Sequence, residues 1–322
     1  MHEVLSQTRL STGETLDIIV VEAPDREHAG TVLHLLSHKG ELRQWQFEED
    51  FAGHAAGLRS RYYLGFLEGR PVANISVWET GITGNLGHVY TVAPERRKGI
   101  CKAVMAAQMD DFRQRGGQLL VLGTGFDSPA YHIYRSFGFA GMLPRSGSMS
   151  YLREPAFYER FFADAPVTCT PLEWRDLGTV CALMACPGGD WLRNQRARAF
   201  GPNCYEAAFL EDLRASLQGE RQARVARTES GSVVGYAVLG PDPAWKGNTW
   251  LLDAFVHPAF QASLNPLLTG FEWPRGPVHT YLEAGSSRVT ALQEYGFSEA
   301  GRLTDVLCRD DEPVDAILLT RS

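Results

Sequence analysis

The alternation of apolar and polar positions along the first half of the chain changes period several times, and each change marks an element. LDIIVVEAP (16–24) is a strand-like run that stops at a proline. DREHAGTVLHLLSHKG (25–40) then spaces its apolar residues for a helix and closes on glycine. RYYLGFLEGRPVANISVWET (61–80) predicts two strands around a Glu68-Gly69 turn, and GNLGHVYTVAP (84–94) another strand. ICKAVMAAQMDDFRQRGG (100–117) predicts a four-turn helix ended by Gly116-Gly117, and QLLVLGTG (118–125) a strand apolar on both faces. SPAYHIYRSFGF (128–139) predicts a short helix with proline in its first turn, and FAGMLPRSGSMSYLR (139–153) a closing pair of strands.

The second half runs through the same order. VTCTPLEWRDLGTVCALMACP (167–187) is strand then helix, and 203–218 has a helical pattern. ARVARTESGSVVGYAVLG (223–240) is a hairpin turning at Ser230-Gly231. A strand before Pro258, a strand PVHTYLEAG, a helix SSRVTALQEYGF and two final strands complete it. TVAP (91–94) corresponds to FVHP (255–258), and AYHIYRSFGF to the segment ending YGF at Phe297. A repeat as long as a whole domain points to duplication rather than a solenoid. The expected division is 1–155, a linker at 156–165 where two prolines interrupt the pattern, and 166–322. The fold class is α/β with mixed sheets.

Composition narrows the function. With 322 residues, 44% of them hydrophobic, both halves can bury a core. The net charge of −7 argues against nucleic-acid or anionic-membrane partners. It gives a slight preference to cationic small molecules. Six cysteines without a CxxC pair read as reduced thiols of a cytoplasmic protein, and no Cys/His spacing signals a zinc site, so no metal is expected. No apolar run is long enough to span a membrane, and the first residues lack the pattern of a signal peptide.

The chemistry concentrates at VAPERRKGICKAV (92–104). A strand ends and a helix begins there, leaving the first helical amides unpaired with partial positive charge. Gly99 lets an anion approach the backbone, and Arg96, Arg97, Lys98 and Lys102 add full charge. The spacing is neither that of a P-loop nor of a Rossmann turn.

Arg96-Arg97-Lys98-Gly99-Ile100-Cys101 resembles the acyl-CoA pyrophosphate loop of the GNAT superfamily, Q/R-x-x-G-x-G/A, with Cys101 in the place of the small residue. Ala130, Ile133, Tyr134, Gly138 and Phe139 resemble the second signature of that family. The resemblance covers about residues 15–150. It implies two tandem GNAT-like acyl-CoA acyltransferase domains, the first an acetyl-CoA-dependent N-acetyltransferase acting on a primary amine of a small molecule, as a monomer or homodimer. It implies that backbone groups of Tyr90 and Val92 hold the pantetheine arm and that Tyr134 protonates the departing thiolate. Asp127 stands where the family has a cofactor-contacting Asn; its alternative role is a helix N-cap. The strand of His88 has no carboxylate, so the base is His88, or Glu79 through water, or none. The EED run at 48–50 reads as a site near a cationic acceptor or, as charge runs usually are, a solvated face, and FYERFF (157–162) as a cleft lining or as packing. Opposite the loop the second half has Phe260–Asn265, without a basic residue or glycine, and opposite Tyr134 it has Leu292. It reads as a degenerate copy. The competing reading of the whole is a non-catalytic acyl-CoA sensor or scaffold.

Overall fold

In a computed structural model that describes residues 2–309 and 311–322, the chain forms two compact units. One comprises residues 1–157 and 174–181, the other 158–173 and 182–322. Among the described residues no helix is long and apolar enough to cross a membrane.

The first unit contains strands β1 (His2–Arg9) and β2 (Thr15–Glu22) and helices α1 (Ala29–Leu35) and α2 (Glu41–Ala52). Strands β3 (Arg59–Leu67), β4 (Arg70–Thr80) and β5 (Thr83–Thr91) follow. Then come α3 (Ile100–Gln114), β6 (Leu119–Gly123), α4 (Pro129–Ser136), β7 (Ala140–Gly141) and β8 (Ser148–Leu152). They build one eight-stranded sheet in the order β1-β2-β3-β4-β5-β6-β8-β7. All its pairings are antiparallel except β5 with β6.

Helix α3 lays Ile100, Val104, Met105, Met109 and Phe112 on one face of the sheet, over Leu16, Ile18, Tyr63, Ile75 and Val77. Burying each of these side chains contributes about 2 kcal/mol, so the face is what fixes the helix. Gly116 ends α3 with a left-handed φ of 84°, and Gly117 lies against the Phe112 ring, where a Cβ would come within 2.3 Å. Glycine is therefore required at both, for different reasons.

The sequence pattern did not reveal β1 or α2. Helix α2 begins at Gly40, which has no side chain to cap it. Its buried positions include the polar Gln46 and Asp50, so its apolar stripe is thin. Asp50 corrects the reading of the EED run as a solvated face. It is 2% exposed and accepts hydrogen bonds from Ser60 Oγ (2.7 Å), Tyr62 Oη (2.6 Å) and Trp78 Nε1 (2.7 Å).

The second unit holds α5 (Phe157–Phe161, all but its first residue), β9 (Val167–Pro171) and the end of α6 (Leu177–Ala185). A small hairpin of β10 (Leu192–Asn194) and β11 (Ala199–Phe200) precedes α7 (Glu206–Leu217). Strands β12 (Gln222–Thr228), β13 (Val233–Pro241) and β14 (Trp250–Val256) are followed by α8 (Leu264–Thr269) and β15 (Val278–Glu283). Helix α9 (Arg288–Glu294), β16 (Ser298–Arg309) and β17 (Glu312–Arg321) complete it. The sheet order is β16-β17-β15-β14-β13-β12-β9. Read from β9, this repeats the order β2-β3-β4-β5-β6-β8-β7, including one parallel pair at the same place, β14 with β15. Phe162, from the FYERFF run, is buried and stacks on His257 with ring centroids 4.2 Å apart.

Candidate active site

Strands β5 and β6 are hydrogen-bonded only from Thr83 to Asn85. Beyond that β5 continues to Thr91 with β4 alone, so its other edge opens a wedge toward α3 and α4. The divergence coincides with a bulge in β5. The register against β4 shifts between Ser76 and Asn74, and His88 takes a left-handed φ of 49°. Asn74 Nδ2 holds the bulge by donating to the His88 carbonyl at 3.0 Å.

Alternation decides which backbone groups face the wedge. Val92 N–H donates to Val72 O at 2.9 Å, so that pair is hydrogen-bonded across β4. Two residues back, Tyr90 opposite Asn74 is oriented the same way. The amides of Tyr90 and Val92 are therefore committed to β4, which corrects their expected part in holding a ligand. The residue facing the open edge is Thr91, whose carbonyl accepts from Arg96 Nε at 2.9 Å. The Arg96 guanidinium also lies 5.9 Å from the Tyr90 ring centroid, folded back along the strand.

At the mouth of the wedge, Gly99 precedes α3 with φ 88°, and no side chain caps the helix. A Cβ on Gly99 would meet nothing within 4 Å, so the space above the turn is open. The α3 amides from Ile100 to Lys102 begin a fifteen-residue helix at this point. Arg97 is exposed and held at φ 66°, and Lys102 is exposed. Lys98 departs from expectation. Its ammonium is paired with Glu14 (3.0 Å) and Glu95 (2.7 Å), which raise its pKa, so it ties the loop to the strand region below rather than offering its charge above.

Tyr134 reaches the same end of the wedge from α4. It is buried against Phe139, with ring centroids 6.0 Å apart, and among the described residues its phenol makes no hydrogen bond. Burial, with the neighbouring Cys101 as a smaller cause, pushes its pKa well above the ordinary tyrosine value, so it stays protonated. The Cys101 thiol is likewise pushed up by burial. The α4 cap is Ser128, whose Oγ accepts from Tyr131 N–H at 3.2 Å. Asp127 is thus not the cap. It sits beside the helix start at φ 58° and pairs with His132 at 2.9 Å.

The base candidates are placed differently. His88 packs edge-on against Phe47 (5.0 Å between centroids) and Trp78 (5.3 Å). Burial first, then the charges of Arg43, Lys39 and His38, lower its pKa well below the usual imidazole range. It is neutral at physiological pH. Glu79 lies at the closed end of the wedge, opposite Gly84, and Arg115 grips both its carboxylate oxygens. It is a structural ion pair and not a base for this site.

The corresponding wedge in the second unit is filled. Strands β14 and β15 pair only at Trp250 and Leu251. Ala254, a non-hydrogen-bonded partner of Ala237, points its carbonyl away from β13, and Arg288 Nη1 donates to it. The same guanidinium donates to Leu192 O (2.9 Å) and Asp190 (2.6 Å). Asp253 of β14 is fully buried and accepts the amides of Gln195 (2.6 Å) and Arg196 (3.3 Å). The segment before α8 is a 3-10 turn, Pro258–Ser263, that runs straight into a helix of six residues.

Residues 26–139 match the family described as Acetyltransferase (GNAT) family. The first unit carries a GNAT-family acetyltransferase domain. Solved structures with a likeness to the chain include a ribosomal-protein-alanine N-acetyltransferase from Brucella melitensis, 22% identical, covering 48% of this chain and 98% of its own with a TM-score of 0.39. An N-acetyltransferase from Staphylococcus aureus Mu50 is 18% identical, covering 48% and 98%, TM-score 0.38. A GNAT superfamily phosphinothricin acetyltransferase from Sinorhizobium meliloti, in complex with AcCoA, is 18% identical, covering 48% and 87%, TM-score 0.35. The family assignment rests on the match at 26–139 and not on these likenesses. A comparison with curated proteins returned no match.

Proposed function

We propose that the first unit transfers an acetyl group from acetyl-CoA to a primary amine of a small molecule, by direct attack on the thioester. The observation that carries this reading is the wedge itself. A β5 edge left unpaired beyond Asn85, an uncapped α3 start behind Gly99 and a phenol at Tyr134 beside Cys101 of that helix supply the parts the transfer needs.

Each part has a role. The amides from Gly99 to Lys102 and the Arg97 and Lys102 side chains receive the pyrophosphate, with Ile100 buried beneath them as the anchor of the turn. Thr91 offers the edge along which the pantetheine arm lies as an added strand, once Arg96 leaves it. The amine nitrogen attacks the thioester carbonyl carbon, and the tetrahedral intermediate collapses with cleavage of the C–S bond. The thiolate takes the Tyr134 proton. His88, its pKa lowered by burial, is at most a weak base for the amine proton. An amine arriving already unprotonated needs no base before attack; the proton its nitrogen sheds as the amide forms goes to solvent, and the Tyr134 phenolate takes one back from solvent.

The second unit is a degenerate copy that keeps the strand order and binds no cofactor. Calorimetric titration of the intact protein with acetyl-CoA tests the pair of statements. One site per chain is expected. No binding overturns the enzyme reading. Binding with no turnover on any amine, and none of it altered by Tyr134→Phe, favours a sensor.

A further inference from the structure

At the opposite edge of the first sheet, a cluster of nitrogen and oxygen donors has no part in the wedge. Strand β1 pairs with β2 so that His2 stands opposite Val21, at the end where β2 leads into α1. The chain then turns through Asp25, Glu27 and His28. The fold thereby brings together two histidines that sequence spacing keeps far apart. Their ring centroids are 4.5 Å apart at 60°. Glu27 Oε2 lies 3.6 Å from His2 Nδ1. One ligand atom from each of His2, Glu27 and His28 lies within 4.8 Å of the other two.

Asp25 gives the cluster its orientation. Its Oδ1 accepts the His28 backbone N–H at 2.9 Å and sits 3.2 Å from His28 Nδ1. The two side chains are 7% and 13% exposed, so this pairing is built into the corner rather than fluttering on the surface. With Nδ1 within hydrogen-bond reach of a carboxylate, Nε2 is the ring nitrogen left to His28 for coordinating an ion. A carboxylate at one ring nitrogen is how proteins fix the tautomer and orientation of a metal-binding imidazole.

We infer that this corner binds a divalent transition metal, with zinc as the first candidate, through His2, Glu27 and His28 Nε2. Two imidazoles and a carboxylate suit zinc, and also nickel or copper. They do not suit magnesium or calcium, which take all-oxygen shells. Three protein ligands leave a coordination position for water. The bound ion would fasten the start of β1, the outermost strand, to the turn before α1, and so protect the free edge of the sheet. Strands β2, β3 and β4 separate it from β5, so its loss leaves the wedge intact.

The test is calorimetric titration of the tag-free, chelator-stripped full chain with zinc chloride and with magnesium chloride, followed by thermal unfolding. One equivalent of zinc is expected, with no heat from magnesium and a rise of roughly 3 °C in the unfolding midpoint at saturation. His2→Ala and His28→Ala each weaken zinc binding at least tenfold. Asp25→Asn weakens it about 10–100-fold at unchanged stoichiometry, the effect of losing an outer-shell partner. His2 is at an exposed strand end, so its variant keeps the question open should His28→Ala fail to fold. Absence of zinc binding overturns the inference. So does zinc binding that persists unchanged in both histidine variants, which would assign the ion to cysteine thiols.

Discussion

The two wedges have the same walls and different contents. Between β5 and β6 the edge of β5 is open, lined by a carbonyl that an exposed arginine from the following turn covers. Between β14 and β15 the edge is covered from within, by an arginine that is 2% exposed and anchored at four acceptors, Asp190, Ser286 and two carbonyls. Arg288 occupies the place of Ala130 in the first unit's helix. A small residue leaves room at the helix start; a guanidinium fills it. The loop tells the same story. Gly99 and an uncapped fifteen-residue α3 follow one strand, whereas a 3-10 segment kinked at Phe260 and a helix of six residues follow the other. Identical strand order thus says nothing about whether a site exists; the few residues at the divergence of one parallel pair decide it.

The largest expected effect that sharpens this contrast is Tyr134→Phe. Turnover falls on the order of 10²-fold or more while the dissociation constant for acetyl-CoA is unchanged, as steady-state kinetics and calorimetry check. Its counterpart, Leu292, has no proton to give, and substituting it leaves turnover alone.

Next comes Arg288→Met. It strands Asp190 and two carbonyls, and costs about 3–5 kcal/mol in the urea transition of the second unit. It also separates two reasons for an inert second unit. No second acetyl-CoA site is expected, because Phe260–Asn265 supplies no cradle. A second site appearing in this variant would mean that the plug alone keeps the cofactor out.

A smaller effect concerns Asp50 and pH. Burial pushes its carboxyl up to about 6, against the three donors that favour the ion. The folded state therefore holds the proton more tightly than the unfolded chain, whose carboxyl titrates near ~4. The stability this proton gives is complete below about pH 4 and is lost as the pH rises through 6, a change on the order of 3 kcal/mol. Asp50→Asn flattens that slope in the first unit only. The second unit keeps its own, from Asp253, also raised to about 6 by burial. Chemical denaturation across this range reads both. The smallest effect is Ser128→Ala, which removes the α4 cap and costs about 1 kcal/mol, with a modest drop in turnover as Tyr134 loses its support.

These comparisons also show which features can be read from residues in order. The turn at Pro94–Gly99 and the Tyr134 helix were legible because they are local: a strand end, a glycine, a helix start and a proline in a first turn. The repeat was legible for the same reason, element by element. What failed was whatever depends on pairing across the sheet. Tyr90 and Val92 look available until the register with β4 turns their amides inward. Lys98 looks like a free cation until Glu14, from before the second strand of the sheet, arrives beside it. Asp50 looks solvated until Ser60, Tyr62 and Trp78 close over it, and Glu79 looks like a base until Arg115 grips it. In each case a partner distant in sequence sets the chemistry.

The folded-back Arg96 makes the first unit a competitor for its own strand edge. A cofactor laid along β5 has to win the Thr91 carbonyl from a side chain only five residues away, at an effectively high local concentration. The measured affinity is then the intrinsic one reduced by the fraction of time the arginine is elsewhere. Removing the rival, as in Arg96→Ala, has two opposed consequences: a freer strand edge and one positive charge fewer near the pyrophosphate. The arrival rate of acetyl-CoA and its salt dependence separate them, since the charge acts at a distance and the competition only on contact.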